Sequence, residues 1–233
     1  MAQVVILAGG LATRMHPYTL TIPKSLLIAA GRPFIDWQLE KLASCGFDDI
    51  IICVGHLGEQ ICNHVGNGSH FGLDVKYSEE GKCLLGTAGA LRKAIKMLDT
   101  NFLVTYGDSY LPFNYIDPLR ELESHDDALG VMSIFYNRNK WDSSNVQTDG
   151  SWILCYKKNT TNPKLDHIDY GAIALRREVI DIIVEDQYIG LDVIQTELSS
   201  KQKLRAFVST NRFFEIGSPN GLAEFDAWKK INA

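Results

Sequence analysis

A chain of 233 residues with 45% apolar and 22% charged side chains can bury a sizeable core, which excludes a disordered protein. The formal net charge of -5, with no basic stripe, argues against nucleic acid as a partner. No apolar run approaches the roughly 20 residues that span a bilayer, and the N-terminus lacks a signal-peptide pattern. The five cysteines form no CxxC pair, which indicates reduced thiols. We therefore expect a cytoplasmic protein with no membrane partner.

Up to about residue 136, apolar strands alternate with amphipathic helices. Strands are predicted at 4–7, 48–55, 73–79, 101–108 and 128–136, and helices at 33–44, 57–66, 87–98 and 117–125. This alternation predicts an α/β fold of three layers, in which a mostly parallel, Rossmann-like sheet lies between helices on both faces. Ligands of such sheets bind at the carboxyl ends of the strands, where Gly9, Gly10 and Asp108 fall.

The sequence beyond residue 136 is richer in Asn, Asp, Ser and Thr, which is typical of hairpins and longer loops. Short strands are expected near 151–156, 171–175, 204–209 and 212–217, and helices near 176–185 and 191–200. A terminal helix is expected from Ser218–Pro219, a cap residue followed by proline. We expect a small lid of β-hairpin and loops, and a single domain, 1–233, with two functional halves that divide near residue 136.

The stretch VVILAGGLATRMHPYTLTIPKSL, residues 4–26, places a glycine turn and two cations directly after the first strand. Backbone N–H groups of such a turn can approach phosphate oxygens, although Gly9–Gly10 alone is more typical of a structural turn. The pattern is neither GxGxxG nor a Walker A loop. Arg14 and Lys24 follow in a segment stiffened by two prolines, and both cation types bind phosphate. Two solvated surface cations are the alternative, but the combination favours a phosphate site.

Residues 7–27, LAGGLATRMHPYTLTIPKSLL, closely resemble the signature LAGGxGTRLxPxTxxxPKxL of sugar-1-phosphate nucleotidyltransferases, the NDP-sugar pyrophosphorylase family. Ala12 stands where the family usually has glycine. The resemblance implies a GT-A-like nucleotidyltransferase fold with a nucleotide-binding half, about 1–136, and a sugar-binding half, about 137–233. It implies that Arg14 and Lys24 are catalytic, on the β/γ-phosphates and near the α-phosphate respectively. The nucleotide-binding residues that it implies in this stretch are Leu7, Ala8, Gly9 and Gly10.

The segment LLGTAGALRKA, residues 84–94, resembles the motif with which this family holds the nucleobase. The resemblance implies that Gly86, Thr87 and Gly89 bind the base. By itself, a helix start with small residues for packing would be the better interpretation. The GTAG form favours the short mannose- and manno-heptose-1-phosphate guanylyltransferases, and therefore GTP. An N-acetylmuramate-1-phosphate uridylyltransferase carries a related form, so the base stays open.

Two acidic positions resemble the metal-binding positions of the family. Asp108, in VTYGDSYL, ends a strand beside the glycine turn, which suits a hard cation such as Mg²⁺. FFEIGSPNGL, residues 213–222, resembles the closing motif xxDxGTPxxL, with Glu215 where the family usually has aspartate. The resemblance implies Mg²⁺ as the cofactor, held by Asp108 and Glu215.

The sugar phosphate is expected to bind in the second half of the chain. DYGAIAL, residues 169–175, resembles the sugar-binding strand, which implies that Asp169, Tyr170 and Gly171 lie near the sugar. Lys158 stands where the family has the lysine of EKP and would meet the sugar phosphate, with Lys157 as the alternative. Asp192 is either a helix cap or a sugar contact.

The reaction implied is a Mg²⁺-dependent condensation of a nucleoside triphosphate, GTP favoured, with a sugar 1-phosphate, manno-heptose or mannose favoured. The products are an NDP-sugar and pyrophosphate, and the protein would be a monomer or homodimer. A uridylyl- or cytidylyltransferase acting on another phosphorylated acceptor is an alternative. A catalytically silent binding module on the same fold is another, supported only by Glu215. A dinucleotide-binding oxidoreductase lacks its third glycine here, and a nucleotide-sugar glycosyltransferase lacks its DxD motif.

Overall fold

The computed structural model of the chain describes residues 2–81, 83–158, 160, 162 and 164–232. The helices are α1 (Phe34–Ser44), α2 (Gly58–Val65), α3 (Gly86–Lys93), α4 (Ile116–Glu123), α5 (Glu178–Asp181), α6 (Leu191–Ser200) and α7 (Pro219–Ile231). The strands are β1 (Gln3–Leu7), β2 (Ile28–Ala29), β3 (Arg32–Pro33), β4 (Asp49–Val54), β5 (Asp74–Glu79), β6 (Asn101–Tyr106), β7 (Ser109–Tyr110), β8 (Gly130–Tyr136), β9 (Val146–Thr148), β10 (Ile153–Tyr156), β11 (His167–Arg176), β12 (Leu204–Ser209) and β13 (Phe214–Glu215). Within the described ranges, no helix has the length and apolar character needed to cross a membrane.

The chain forms two compact units, each built from separate segments. Unit 1 contains Met1–Leu84, Thr105–Tyr110 and Phe213–Ala233, and unit 2 contains Leu85–Val104 and Leu111–Arg212.

The sheet of unit 1 is parallel. β4 pairs with β1 on one side and with β5 on the other, with Val5 opposite Ile51 and Ile51 opposite Lys76. Every residue of β1 is buried, and β4 is buried from Ile50 onwards. A parallel sheet is covered by helices on both faces, so both faces of its strands must be apolar. The apolar runs of β1 and β4 therefore explain why these strands lie side by side in a parallel sheet. The predicted α/β class is confirmed.

A second group of apolar side chains in unit 1 packs the end of the chain against its beginning. Phe225 of α7 lies with its ring centre 5.0 Å from that of Phe34 in α1 and 5.1 Å from that of Tyr110 in β7. β13 pairs with β7 in antiparallel register, with Phe214 opposite Tyr110. This core therefore holds the two short strands in place. Its buried members are Met15, Leu27, Ala29, Phe34, Tyr110, Phe214, Ile216 and Phe225.

Unit 2 has a mixed sheet. β11 pairs antiparallel with β8 and with β9, β9 pairs antiparallel with β10, and β12 runs parallel to β8. β9 and β10 form the β-hairpin that the sequence predicts. The helix expected near 176–185 is a single turn, α5, and this expectation was wrong in length. Further along, Ile189 N–H donates to the carbonyl of Leu85 (2.8 Å), which holds this part of the segment at the start of α3 instead of in a longer helix.

Candidate active site

The glycine turn of unit 1 is fixed to the end of β4. Ala8 N–H donates to the Cys53 carbonyl (2.9 Å), and the Gly9 carbonyl accepts from His56 N–H (3.3 Å). A Cβ added to Gly55 would lie 2.7 Å from the Gly9 carbonyl oxygen, so the two segments can be this close only because Gly55 has no side chain. Gly10 is exposed and has open space above its Cα. Ala8 and Gly9 are therefore held by hydrogen bonds to the end of β4, while the backbone of Gly10 faces solvent.

Ala12 lies where the family signature usually has glycine, and its backbone explains that preference. Its φ is 49°, in the left-handed region, where a side chain costs about 1–2 kcal/mol. The Ala12 carbonyl accepts from the Thr19 hydroxyl (2.9 Å) and from Met15 N–H (2.9 Å). These bonds hold the segment that carries Arg14 in this conformation.

Three segments of unit 1 bring the predicted cations and acids together. The Lys24 ammonium donates to Asp108 Oδ2 in an ion pair whose side chains are 20% and 18% exposed. Gly107 N–H donates to the Leu7 carbonyl (2.9 Å), which brings Asp108 to the end of β1. A Cβ on Gly217 would lie 3.2 Å from Arg14 Nη2 and 3.8 Å from Asp108 Oδ2. Arg14, Lys24 and Asp108 therefore lie around the end of the first strand.

Glu215 reaches the same region through the β7–β13 pair. It lies opposite Ser109, and the next residue, Ile216, donates its N–H to the Asp108 carbonyl (2.9 Å). Across the described residues, no cluster of three or more histidine, cysteine or acidic side chains could hold a metal by itself. Two carboxylates fit Mg²⁺, which proteins usually bind with one or two carboxylates together with substrate phosphates and water.

Glu80 is a further acidic residue beside the glycine turn, and it was not predicted from the sequence. A Cβ on Gly9 would overlap Glu80 Oε1, so the carboxylate lies directly against the turn. Glu80 N–H donates to the Val54 carbonyl (3.0 Å), which fixes the residue just after β5. A carboxylate at the end of a neighbouring strand can accept hydrogen bonds from ribose hydroxyls. Its position directly after the third predicted strand was the available signal.

In unit 2, the start of α3 contacts residues 187–191. Gly86 has a φ of +73°, and a Cβ there would lie 2.6 Å from the Ile189 carbonyl oxygen. That carbonyl accepts from Ala88 N–H (2.9 Å) and Gly89 N–H (3.2 Å), while Thr87 Oγ1 accepts from Leu191 N–H (2.6 Å). These contacts give the two glycines and Thr87 a packing role. Their role in holding the base stays a prediction.

Asp169 is fixed by hydrogen bonds to both of its carboxylate oxygens. Oδ1 accepts from Gly171 N–H (2.9 Å) and Oδ2 from Gln195 Nε2 (2.8 Å). Burial raises the pKa of this carboxyl above its usual range, while the hydrogen bonds from Gly171 and Gln195 act in the opposite direction. The Gly171 φ of +96° and a register shift between Asp169 and Ile173 mark a bulge in β11 at this point.

Tyr170 points into the core of unit 2. Its side chain is fully buried, with the ring centre 5.3 Å from that of Phe113. Burial raises its pKa to about 12. A sugar contact of Tyr170 stays a prediction, and it would have to come from the backbone.

Lys158 and Asp192 lie together in unit 2. Lys158 Nζ is 3.5 Å from Asp192 Oδ1, and both side chains are partly exposed. The alternative Lys157 is fixed through its backbone, whose N–H donates to the Asn145 carbonyl (2.9 Å). One turn after Asp192, Gln195 is only 1% exposed. Its Oε1 has no hydrogen-bond partner within the described part of the chain. Gln195 was not predicted from the sequence, although its spacing of three from Asp192 on a helix is a usable signal.

Comparison with known proteins gives consistent likenesses. Residues 3–144 match the family described as Nucleotidyl transferase. The chain is 43% identical over 107 residues, 46% of each chain, to N-acetylmuramate alpha-1-phosphate uridylyltransferase of Neisseria meningitidis serogroup B. It is 25% identical over 227 residues, 96% of this chain and 98% of the relative, to D-glycero-alpha-D-manno-heptose 1-phosphate guanylyltransferase of Campylobacter jejuni.

The crystal structure of HddC from Yersinia pseudotuberculosis complexed with GMP-PN is similar to this structure, with a TM-score of 0.79 and 25% sequence identity. The likeness covers 98% of this chain and 100% of that one, and it confirms the predicted fold class. The chain spans about half the length of several curated relatives that it matches.

Proposed function

The chain belongs to the nucleotidyl transferase family, and on that premise we propose that it transfers a nucleotidyl group from a nucleoside triphosphate to a sugar 1-phosphate. The observation that carries the proposal is the Lys24–Asp108 ion pair beside the glycine turn, with Arg14 close to the same carboxylate. Two cations and an acid at the end of the first strand suit a triphosphate and an incoming phosphate.

The proposed reaction requires no general base. A phosphate oxygen of the sugar 1-phosphate forms a bond to the α-phosphorus, and the bond from that phosphorus to the oxygen leading to the β-phosphate breaks. Pyrophosphate leaves with the electron pair. The nucleophile is already an anion, so the protein must bring two anions together and stabilise the leaving charge. Arg14 does this at the β/γ-phosphates and Lys24 at the α-phosphate and incoming phosphate.

Asp108 and Glu215 would hold Mg²⁺, which supplies positive charge to the reacting phosphates when bound. Replacement of Asp108 by asparagine is expected to abolish activity and its dependence on Mg²⁺ together. Asp74→Asn is the matched control, because Asp74 is an exposed acid of the same unit. A fully active Asp108→Asn variant would place the metal elsewhere.

The second unit is proposed to hold the sugar 1-phosphate and the base. Lys158 would bind the phosphate, since its exposed ammonium is 3.5 Å from Asp192 and can exchange this partner for a phosphate. Asp169 and Gly171 would face the sugar at the bulge of β11. Gly86, Thr87 and Gly89 would contribute to base binding at the start of α3.

For the substrates, we propose GTP with manno-heptose or mannose 1-phosphate. The GTAG form of the second motif supports this choice, and so does the likeness to the Campylobacter jejuni guanylyltransferase over 98% of its length. A uridylyltransferase acting on N-acetylmuramate 1-phosphate is the second candidate. It is favoured by the 43% identity over 107 residues to the Neisseria enzyme.

Pyrophosphate release measured for each of five nucleoside triphosphates against a panel of sugar 1-phosphates tests the proposal. The panel should contain manno-heptose, mannose, glucose, galactose and N-acetylmuramate 1-phosphates, with Mg²⁺ and then Mn²⁺. Release with GTP and manno-heptose or mannose 1-phosphate would support the first choice, and release with UTP and N-acetylmuramate 1-phosphate the second. Nucleotide binding without release from any pair would favour a catalytically silent module.

A further inference from the structure

A cavity of about 360 Å³ opens in unit 2 and is lined by none of the residues assigned above. We propose that it binds a saccharide ring packed against Trp141. The lining residues are Asn139, Lys140, Trp141, Asp142, Ser143 and Thr160.

The wall of the cavity is a loop held in shape by two buried polar side chains. Asn137 Nδ2 donates to the backbone carbonyl of Asp142 (2.6 Å), and Asn137 Oδ1 accepts from the backbone N–H of Trp141 (3.2 Å). Ser144 Oγ accepts from Asn139 N–H (3.0 Å), and Ser144 N–H donates to Asn139 Oδ1 (2.7 Å). The side chains of Asn137 and Ser144 are buried. The loop is thereby ordered before any ligand binds.

Two consecutive residues of this loop have left-handed backbone. Arg138 has a φ of 48° and Asn139 a φ of 58°. Non-glycine residues in this region cost free energy and persist where the surrounding structure fixes them, often at ligand sites. Here the bonds from Asn137 and Ser144 fix them, so the residues that follow face the cavity in one arrangement.

Trp141 supplies the aromatic surface. Its side chain is 40% exposed, and the Arg212 guanidinium lies 3.6 Å from the ring centre. Lys140 Nζ lies 4.8 Å from the same centre. These cations contact the indole ring, while Trp141 as a whole keeps 40% of its surface exposed. A fixed, accessible tryptophan offers a large contact area at low entropic cost.

The remaining lining groups select the class of ligand. A carboxylate, an amide, two hydroxyls and an ammonium offer both donors and acceptors. Asp142 offsets one of the two positive charges at Trp141, those of Lys140 and Arg212, and the single charge left is too little for a triphosphate or other multiply charged anion. A single aromatic residue is too little apolar surface for a hydrocarbon ligand. A saccharide ring matches both the single aromatic surface and the mixed donors and acceptors around it. Its C–H face is apolar and can pack on the indole, while its hydroxyls surround that face and can form hydrogen bonds. The cavity volume lies within the range typical of small-molecule sites.

Titration of the protein with free mannose, glucose, galactose and N-acetylglucosamine, followed by calorimetry and ligand-observed NMR, tests this proposal. No nucleotide is present, and the free sugars carry no phosphate for Lys158 to bind. We expect at least one sugar to bind the wild type and Trp141→Phe, and to bind Trp141→Ala about tenfold more weakly. Asp169→Asn, which alters the sugar contact of the proposed substrate site, should bind it as the wild type does. Asp142→Asn, which leaves the indole in place, should also weaken binding.

Three outcomes would overturn the proposal. In the first, none of the sugars binds the wild type. In the second, Trp141→Ala and Asp142→Asn both bind as tightly as the wild type. In the third, Asp169→Asn abolishes binding that the Trp141 variants retain, which would place the sugar in the substrate site. The readout is binding, so failure here is distinguishable from failure of the proposed nucleotidyl transfer, which the pyrophosphate assay tests.

Discussion

Replacing Lys24 by methionine removes the charge that pairs with Asp108 and keeps an unbranched side chain of similar length. The effect on folding should be small. The two side chains are 20% and 18% exposed, so water can hydrate the remaining carboxylate. A partly exposed ion pair contributes about 0.2–1 kcal/mol to the free energy of unfolding. We expect Lys24→Met to lower that free energy by less than about 1 kcal/mol.

The effect on turnover should be much larger. In the proposed reaction, the Lys24 ammonium stabilises charge that develops between the reacting phosphates. Removal of one group that stabilises transition-state charge costs about 3–4 kcal/mol, which corresponds to about a 100- to 1000-fold loss in kcat. The prediction is therefore a large kinetic loss without a matching loss of stability.

The measurement is kcat from pyrophosphate release with the best substrate pair, together with urea unfolding of the same preparations. Lys76→Met is the matched control, because Lys76 Nζ also pairs with an acid of unit 1, Asp49, at 2.9 Å. Its kcat should stay within about twofold of the wild-type value, since it touches no group placed in the reaction. A Lys24→Met variant that keeps kcat within tenfold of the wild type would refute the role of Lys24. So would a loss of several kcal/mol in unfolding free energy, which would make the lysine structural.

Two further predictions concern stability. Gly86→Ala and Gly72→Ala share a φ of +73°, but a Cβ on Gly72 meets open space and one on Gly86 meets the Ile189 carbonyl. In urea unfolding, Gly72→Ala should lower the free energy of unfolding by about 1 kcal/mol and Gly86→Ala by about 2–4 kcal/mol. An equal loss in the two variants would contradict the close contact between Gly86 and the Ile189 carbonyl. The raised pKa of Asp169 keeps a proton on the folded protein at pH values where the unfolded chain has lost it. The free energy of unfolding should therefore fall as pH rises from about 4 through that raised pKa, and Asp169→Asn should remove this slope; a slope unchanged in the variant would show that another group causes it.

Where apolar pattern and cap residues determine an element, the sequence predicted it well. The run of apolar residues before Gly9 gave β1, and the isoleucines at 50–52 gave β4. Ser218 caps α7 as its sequence indicates, with its hydroxyl oxygen accepting from Gly221 N–H (3.1 Å). In each case the information lies in neighbouring residues, so no tertiary contact was needed.

The rest of the candidate site depends on contacts between distant segments. β7 and β13 have two residues each, too few for any pattern, yet their register places Glu215 opposite Ser109, the residue after Asp108. Glu80 and Gln195 gain their positions from the end of β5 and the packing of α6. The motif around Gly86 could be recognised, but its contact with residues 187–191 could not. The sequence therefore predicts which chemical groups a site contains, whereas the fold determines which of these groups come into contact.

Unit 1 takes its residues from widely separated parts of the sequence, and this affects how the protein is made. The ribosome adds about 5–20 residues per second, so the glycine turn and Lys24 emerge about 10–40 seconds before Glu215 and Phe225. During that interval, Phe34 lacks the aromatic partner that α7 later provides. The nascent chain should therefore expose apolar surface that chaperones bind. Of the three segments of unit 1, the one that begins at Phe213 is translated after the others and completes this core, so a chain terminated before it would carry the glycine turn without Glu215.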